Sequence, residues 1–315
     1  MIIKILQGDC IESLNKLEDQ SINTCITSPP YWGLRDYNGE EKQLGLEDTP
    51  EEFVDNLVAV FREVKRVLRG DGTVWLNLGD SYAGNNSRAS NNGRAGYGTE
   101  REGVFTKTGI GLKTKDLVGI PWRVALALQQ DGWYLRQDII WHKPNPMPES
   151  VKDRCTKAHE YIFLLSKSPK YYFDNEVIKE DSIYAPNKTH EKERAKGYYK
   201  GKWSNPEKGS RHDGSFKAIR DKKNKRSVWK VPTKGYKEAH FATYPTALIE
   251  PCVLAGCPKD GVVLDPFAGS GTTGIVAANH GRNSVLLELN KEYIEIAEKR
   301  INDAVGMFAS IKKGK

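Results

Sequence analysis

The sequence has 315 residues, of which 38% are hydrophobic and 10% aromatic, and its net charge is +7. A chain of this length buries a full core, and none of its apolar runs approaches the roughly 18 residues that a membrane span needs, which excludes a helical membrane protein. Met1 to Cys10 lack the charged start, apolar core and small-residue cleavage site of a signal peptide, so a cytoplasmic protein is expected. The five cysteines, Cys10, Cys25, Cys155, Cys252 and Cys257, are scattered without a CxxC or Cys/His cluster, so free thiols and no metal site are expected.

In chain order, a strand Ile2–Leu6 leads through the Gly8-Asp9 turn into a short helix, Ile11–Leu17. A buried strand, Ile22–Thr27, follows and stops at Ser28-Pro29-Pro30-Tyr31, because proline cannot donate to a sheet ladder. Phe53, Leu57, Val60, Phe61, Val64 and Leu68 recur near the helical period, which gives a helix from Pro50 to Leu68 with Thr49 as its N-cap. A strand Thr73–Leu78 comes next. Ser81 to Gly111 is rich in Gly, Asn, Ser and Arg and lacks any period, so a long mobile loop is expected there. A helix Pro121–Gln130 and strands Leu135–His142 and Tyr161–Ser166 complete the first part.

The stretch from about 174 to 228 breaks the alternation of helix and strand and reads as an insertion. Asn187 to Lys230 hold 15 Lys and Arg against five Asp and Glu, so this segment carries the whole positive excess. A charge run can be a merely solvated face. Tyr198, Tyr199, Trp203, Phe216 and Trp229 interleave this one, which points to phosphates and bases, with Lys222, Lys223, Lys225 and Arg226 as candidate nucleic-acid contacts. The α/β pattern then resumes with a helix Thr246–Ala255, a strand Gly261–Asp265, a glycine loop, a helix Thr272–Asn279, a strand Asn283–Glu288 and a helix Lys291–Ala304. This alternation is that of a mostly parallel sheet with packed helices. The expected division is a core of 1–173 and 229–315 with an inserted region, 174–228.

Two motifs carry the chemistry. In DPFAGSGTTG the glycines Gly269, Gly271 and Gly274 fit G-x-G-x-x-G after an apolar strand, with Glu288 ending the next strand. This pattern also suits a nicotinamide dinucleotide. Asp265 in front of the loop would repel a pyrophosphate but accept from an ammonium. S-adenosylmethionine has an ammonium and a ribose and no phosphate, so Asp265 is assigned to its methionine end and Glu288 to its ribose hydroxyls. Glycines that only permit close packing of helix on strand would give the same pattern.

The second motif is TSPPYW, Thr27–Trp32. An exocyclic amine on a base is a poor nucleophile, because its lone pair is delocalised into the ring. Acceptors aimed at both of its N–H groups favour the localised form that attacks a methyl sulfonium. The Ser28 hydroxyl and the Pro29 carbonyl are such acceptors, Pro30 fixes the backbone, and Tyr31 offers a face for an extruded base. A strand-end turn with an exposed aromatic would read the same way.

Taken together, and in this order, the motifs resemble the β-class amino-methylating DNA methyltransferases, in which SPPY or DPPY precedes the target-recognition region and the glycine loop comes last. Gln7-Gly8-Asp9-Cys10, Asp138–Ser150 and His240–Ile249 resemble further family segments. The resemblance implies a Rossmann-like S-adenosylmethionine-dependent methyltransferase fold with circularly permuted motif order and an inserted DNA-recognition region. It implies Ser28, Pro29, Pro30 and Tyr31 at the target base, and Asp265, Pro266, Phe267, Gly269, Ser270, Gly271, Thr272 and Glu288 around the cofactor. Asp9 falls near the adenine, with His240 and Thr246 as further cofactor candidates.

The implied partners are double-stranded DNA, read by base flipping, and a cognate restriction endonuclease; the protein would be a monomer or a homodimer. Serine at position 28 favours cytosine N4, with adenine N6 as the alternative. A methyltransferase of RNA or protein, which usually places its cofactor loop first, and an inactive DNA-binding subunit are the more distant readings. Trp32 and Trp141 would either wall the base pocket or lie in the core.

Overall fold

The computed structural model describes residues 1–33, 43–83, 111–182, 222–233, 244–306 and 309–314. The chain divides into two compact units, residues 1–173 with 227–315 and residues 174–226. In chain order the strands are β1 (Ile2–Gln7), β2 (Ile22–Thr27), β3 (Leu68–Leu78), β4 (Tyr134–His142), β5 (His159–Ser166), β6 (Glu180–Asp181), β7 (Lys222–Lys223), β8 (Val228–Lys230), β9 (Val262–Asp265), β10 (Asn283–Glu288) and β11 (Ser310–Gly314). The helices are α1 (Cys10–Leu14), α2 (Pro50–Val67), α3 (Ile120–Gln130), α4 (Thr246–Gly256), α5 (Thr272–Asn279) and α6 (Lys291–Val305).

In the larger unit the described strands form one nine-stranded sheet in the order β11-β1-β10-β9-β2-β3-β5-β4-β8. Neighbours are parallel throughout, except that β5 runs antiparallel to β3 and β4. Central strands of such a sheet are covered on both faces, which is why β2 is buried from Thr24 to Thr27, its two threonine hydroxyls included. On one face Leu14 of α1, Phe53, Leu57 and Phe61 of α2 and Val124 of α3 pack on Cys25, Val74, Leu76 and Phe163. On the other, Ile275 of α5 and Ile294 and Ile301 of α6 pack on Ile3, Ile5 and Leu286. Each such aliphatic or aromatic side chain contributes roughly 1.5–3 kcal/mol by leaving water. The start of α2 is fixed locally: Thr49 accepts from the Glu52 amide, Glu52 reaches back to the Thr49 amide, and Pro50 opens the first turn.

This topology positions the site. The connection β9–α5–β10 leads to one side of the sheet and β2–α2–β3 to the other, so β9 and β2 are adjacent strands whose connections diverge. A crevice opens outside their carboxyl ends at such a switch point, and those ends carry the glycine loop and Ser28–Tyr31. The strands β1, β9 and β10 on the glycine-loop side come from opposite ends of the chain, as the permuted motif order implies.

The mostly parallel α/β sheet agrees with the sequence reading, with local differences. The helix expected to reach Leu68 ends at Val67, and β3 begins at Leu68, five residues before the expected strand. There Leu68 is already extended and pairs with Ile22, the register shifts before Thr24 pairs with Thr73, and the Leu68 carbonyl accepts from Lys167. The helix expected at Ile11–Leu17 closes at Leu14. The short strands β6, β7, β8 and β11 carry no period long enough to read. Residues 84–110 of the expected mobile loop, residues 183–221 of the expected insertion and His240 lie outside the described residues.

Candidate active site

Asp265, the last residue of β9, is fully buried, and its carboxylate is the hub of the crevice. Oδ1 accepts from the Thr27 hydroxyl at 2.6 Å and the Phe267 amide at 3.1 Å. Oδ2 accepts from the Tyr244 hydroxyl at 2.9 Å and the Thr273 hydroxyl at 2.5 Å. Burial pushes this carboxyl above its ordinary value, against the pull of its four donors. A carboxylate offers about four lone-pair directions, and the chain fills them all. Asp265 therefore does not have the free acceptor that the sequence reading assigned to the cofactor's ammonium. It ties the end of β2, the glycine loop, α5 and Tyr244 into one frame.

The glycine loop divides by function. Gly269 has φ +49°, and a Cβ there would meet nothing within 4 Å; its amide donates to Glu288 Oε2 at 2.7 Å. Gly271 has φ +76°, and a Cβ there would lie 2.9 Å from the Cβ of Ala297 on α6, so this glycine serves helix packing. Ser270 and Thr272 are buried, and both hydroxyls face Arg300 of α6. At Ser270, Gly271 and Thr272, expected around the cofactor, the side-chain contacts shown are with α6. Pro266 is buried, and Phe267 is half-buried against the core.

Glu288 remains available. Its two oxygens accept from Gly269 and, at 2.9 Å, from the Asn290 amide, and acceptor capacity remains for a hydroxyl. Burial raises its carboxyl above the usual glutamate range. Parallel pairing of Gln7 with Glu288 brings Asp9 to the same edge, where Asp9 accepts from the Glu12 amide and caps α1. Beside it lies a cavity of about 460 Å³ lined by Asp9, Cys10, Ile11, Leu44, Glu47 and Asn56 among others. An open glycine, a carboxylate with spare acceptor capacity and a cavity beside Asp9 fit S-adenosylmethionine, which has hydroxyls to donate and no phosphate.

On the β2 side, Ser28 is half-buried and has no hydrogen-bond partner among the described residues. Pro29 is buried. Tyr31 lies with its ring on Gly79, where a Cβ would sit 2.5 Å from Tyr31 Cε2. The Tyr31 hydroxyl donates to Glu160 Oε2 at 2.7 Å. Trp32 and Trp141 are both 4% exposed, and their indole N–H groups donate to the Glu47 and Val231 carbonyls, so both belong to the core.

Residues 22–299 match the DNA methylase family whose members act at N6 or N4 amines. The chain belongs to this family. As such it is an S-adenosyl-L-methionine-dependent DNA methyltransferase. It is 45% identical over 304 residues to the type II methyltransferase M.Cfr9I of Citrobacter freundii, covering 94% of this chain and 87% of that one. It is 46% identical over 303 residues to M.SmaI of Serratia marcescens, covering 95% and 90%. The fold matches the PvuII DNA methyltransferase (cytosine-N4-specific) with a TM-score of 0.60 at 19% identity, over 96% of this chain and 91% of that one. It matches the modification methylase TTHA0409 of Thermus thermophilus, complexed with S-adenosyl-L-methionine, with a TM-score of 0.60 at 23% identity, over the whole of both chains.

In this DNA methyltransferase the sequence reading found both loops and missed what holds them. Glu160, Asn77, Gly79 and Lys143 surround Tyr31, and Thr27 and Tyr244 anchor Asp265. The candidate DNA contacts lie in the smaller unit, where Lys222 stands 3.8 Å from Asp181, and Lys223 and Lys225 stand 4.0 and 3.4 Å from Glu180. Their charge is thus partly offset within the β6–β7 pair. Thr246 is exposed at the start of α4. No helix among the described residues is long and apolar enough to cross a membrane.

Proposed function

We propose that this DNA methyltransferase methylates the N4 amine of cytosine in duplex DNA, with the target base extruded onto Tyr31. The observation that carries the reading is Ser28: a half-buried hydroxyl without a partner among the described residues, held at the carboxyl end of β2 by the Thr27–Asp265 hydrogen bond. Ser28 Oγ and the Pro29 carbonyl accept from the two N–H groups of the amine and localise its lone pair. Tyr31 stacks the base. An amine inside a duplex is out of reach, so extrusion precedes chemistry. Bound S-adenosylmethionine supplies the methyl group, with Glu288 and Gly269 holding its ribose side and Asp9 near its adenine. A strong general base is unnecessary, because the alkylated amine is acidic and gives its proton to water.

Residues 174–228 form the target-recognition region in this reading, and Lys222, Lys223, Lys225 and Arg226 contact phosphates. M.Cfr9I and M.SmaI are type II methyltransferases, which supports a restriction-modification setting with a cognate endonuclease. Neutralising the four basic residues should weaken DNA affinity and flatten its salt dependence while leaving cofactor binding intact.

The test is methyl transfer from labelled S-adenosylmethionine to mixed-sequence duplex DNA, followed by nucleoside mass analysis and mapping of the modified site. N4-methylcytosine is the expected product. N6-methyladenine would overturn the choice of base, and label in RNA alone would overturn the substrate.

A further inference from the structure

Tyr31 occupies a seat that its own motif does not build. The reversed strand β5 starts at the sheet edge where β3 ends. Their register pairs Asn77 with Ile162 and Leu78 with Tyr161, which brings Glu160 across from Gly79. Gly79 lies directly under the Tyr31 ring. Glu160 Oε2 accepts from the Tyr31 hydroxyl at 2.7 Å and from Asn77 Nδ2 at 3.3 Å, and its other oxygen pairs with Lys143. Asn77 is held in turn, its amide donating to the Tyr161 carbonyl at 3.0 Å. Lys143 lies 4.4 Å from the centroid of Trp141, a buried ring. The Glu160 side chain is only 14% exposed, which makes these charge-assisted bonds strong and geometrically demanding. The Lys157 amine lies near this cluster, buried without a hydrogen-bond partner among the described residues, and burial lowers its pKa from the ordinary lysine value.

We infer that Glu160 is a positioning residue for base extrusion: its carboxylate, set by Lys143 and Asn77, clamps the Tyr31 hydroxyl and locks the ring over Gly79 in the orientation on which the flipped base stacks. The inference rests on the reading of Tyr31 as the stacking residue. A tyrosine ring turns about two side-chain torsions: the bond to Glu160 at its far end fixes the first, and the close approach of Gly79 to the ring face limits rotation about the second. A hydrogen bond to a charged group is worth enough that its loss lowers the rate roughly 10- to 100-fold when its only function is to hold a reacting geometry.

The experiment is a double-mutant cycle on the full chain with Tyr31→Phe and Glu160→Ala. It uses the DNA site mapped with the wild-type enzyme and a fluorescent base analogue at the target position to report extrusion. Each single variant should lower kcat at least roughly 10-fold and reduce the extrusion signal, with S-adenosylmethionine affinity within about 2-fold of wild type. The double variant should be no worse than either single one. Glu160→Gln, which keeps a carbonyl acceptor for the tyrosine hydroxyl, should recover most of the extrusion signal and covers the case in which the alanine variant folds poorly. Independent, multiplicative losses, or full activity of Glu160→Ala, would overturn the inference. So would a loss confined to cofactor affinity. Wild-type activity on the same duplex reports separately on the underlying function, because it requires no property of Glu160.

Discussion

The two loops that meet at the switch point are built on opposite plans. The loop after β9 is closed on itself: Asp265 has its acceptor positions filled, and Ser270 and Thr272 bond to Arg300. The loop after β2 leaves its chemical group open, since Ser28 has no partner among the described residues, and only its neighbours Thr27 and Tyr31 are anchored. A cofactor loop must hold a shape that many backbone groups read at once, so rigidity matters there. On the proposed reading the β2 loop binds the base and must offer unspent acceptors, so it borrows rigidity from the residues on both sides of Ser28.

The comparison makes its largest prediction at Asp265. Asp265→Ala strands the Thr27 hydroxyl and the Phe267 amide and leaves the Tyr244 and Thr273 hydroxyls only each other as partners, and each unsatisfied buried group costs about 1–3 kcal/mol. Denaturant unfolding should show a loss of several kcal/mol, accompanied by loss of cofactor binding. Unchanged stability would mean that the closed plan of the β9 loop is wrong.

A smaller contrast separates two glycines of the same loop. Gly271→Ala forces a Cβ to 2.9 Å from that of Ala297 at positive φ, so overpacking should lower stability by about 1–3 kcal/mol. Gly269→Ala meets open space and should cost only the backbone term, about 1–2 kcal/mol, while weakening cofactor affinity by more than its cost in stability explains. Unfolding curves and cofactor titrations on the two variants check the contrast, and equal effects on both readouts would remove it.

The smallest effect is in pH. Glu288 and Asp265 are both raised above their ordinary values, with burial the leading cause. The folded chain therefore binds these protons more tightly than the unfolded chain. The stability they contribute is present below the unfolded value and is lost as pH rises through the raised folded value. Cofactor binding should run the other way, since protonated Glu288 gives up an acceptor position. Affinity should fall with acidification at a higher pH than an ordinary glutamate would set, and Glu288→Gln should flatten that dependence. Titration calorimetry across pH on wild type and variant decides it.

Much of this site was legible in the sequence because strand ends and punctuation are local signals. The double proline after Thr27 and the glycines after Asp265 mark their strand ends, and the Asn283–Glu288 strand reads from its apolar run. The partners of these residues were not legible. Thr27 and Asp265 are 238 residues apart, and Tyr31 and Glu160 are 129 apart. Hydrophobic period carries no strand direction, so the reversal of β5 that delivers Glu160 to the active edge could not be read from Tyr161–Ser166. Nor could Ser270 or Thr272 be told from ligand contacts, because the side on which they meet Arg300 depends on how α6 packs.

The most direct test of the two-plan account is the Ser28→Ala enzyme, loaded with S-adenosylmethionine and followed in a single turnover on the mapped duplex. The account predicts wild-type cofactor affinity and folding with a methyl-transfer rate lowered roughly 100- to 1,000-fold, the cost of removing one preorganised polar group from the reacting centre. An unchanged rate, or a loss of cofactor affinity equal to the loss of rate, would contradict it.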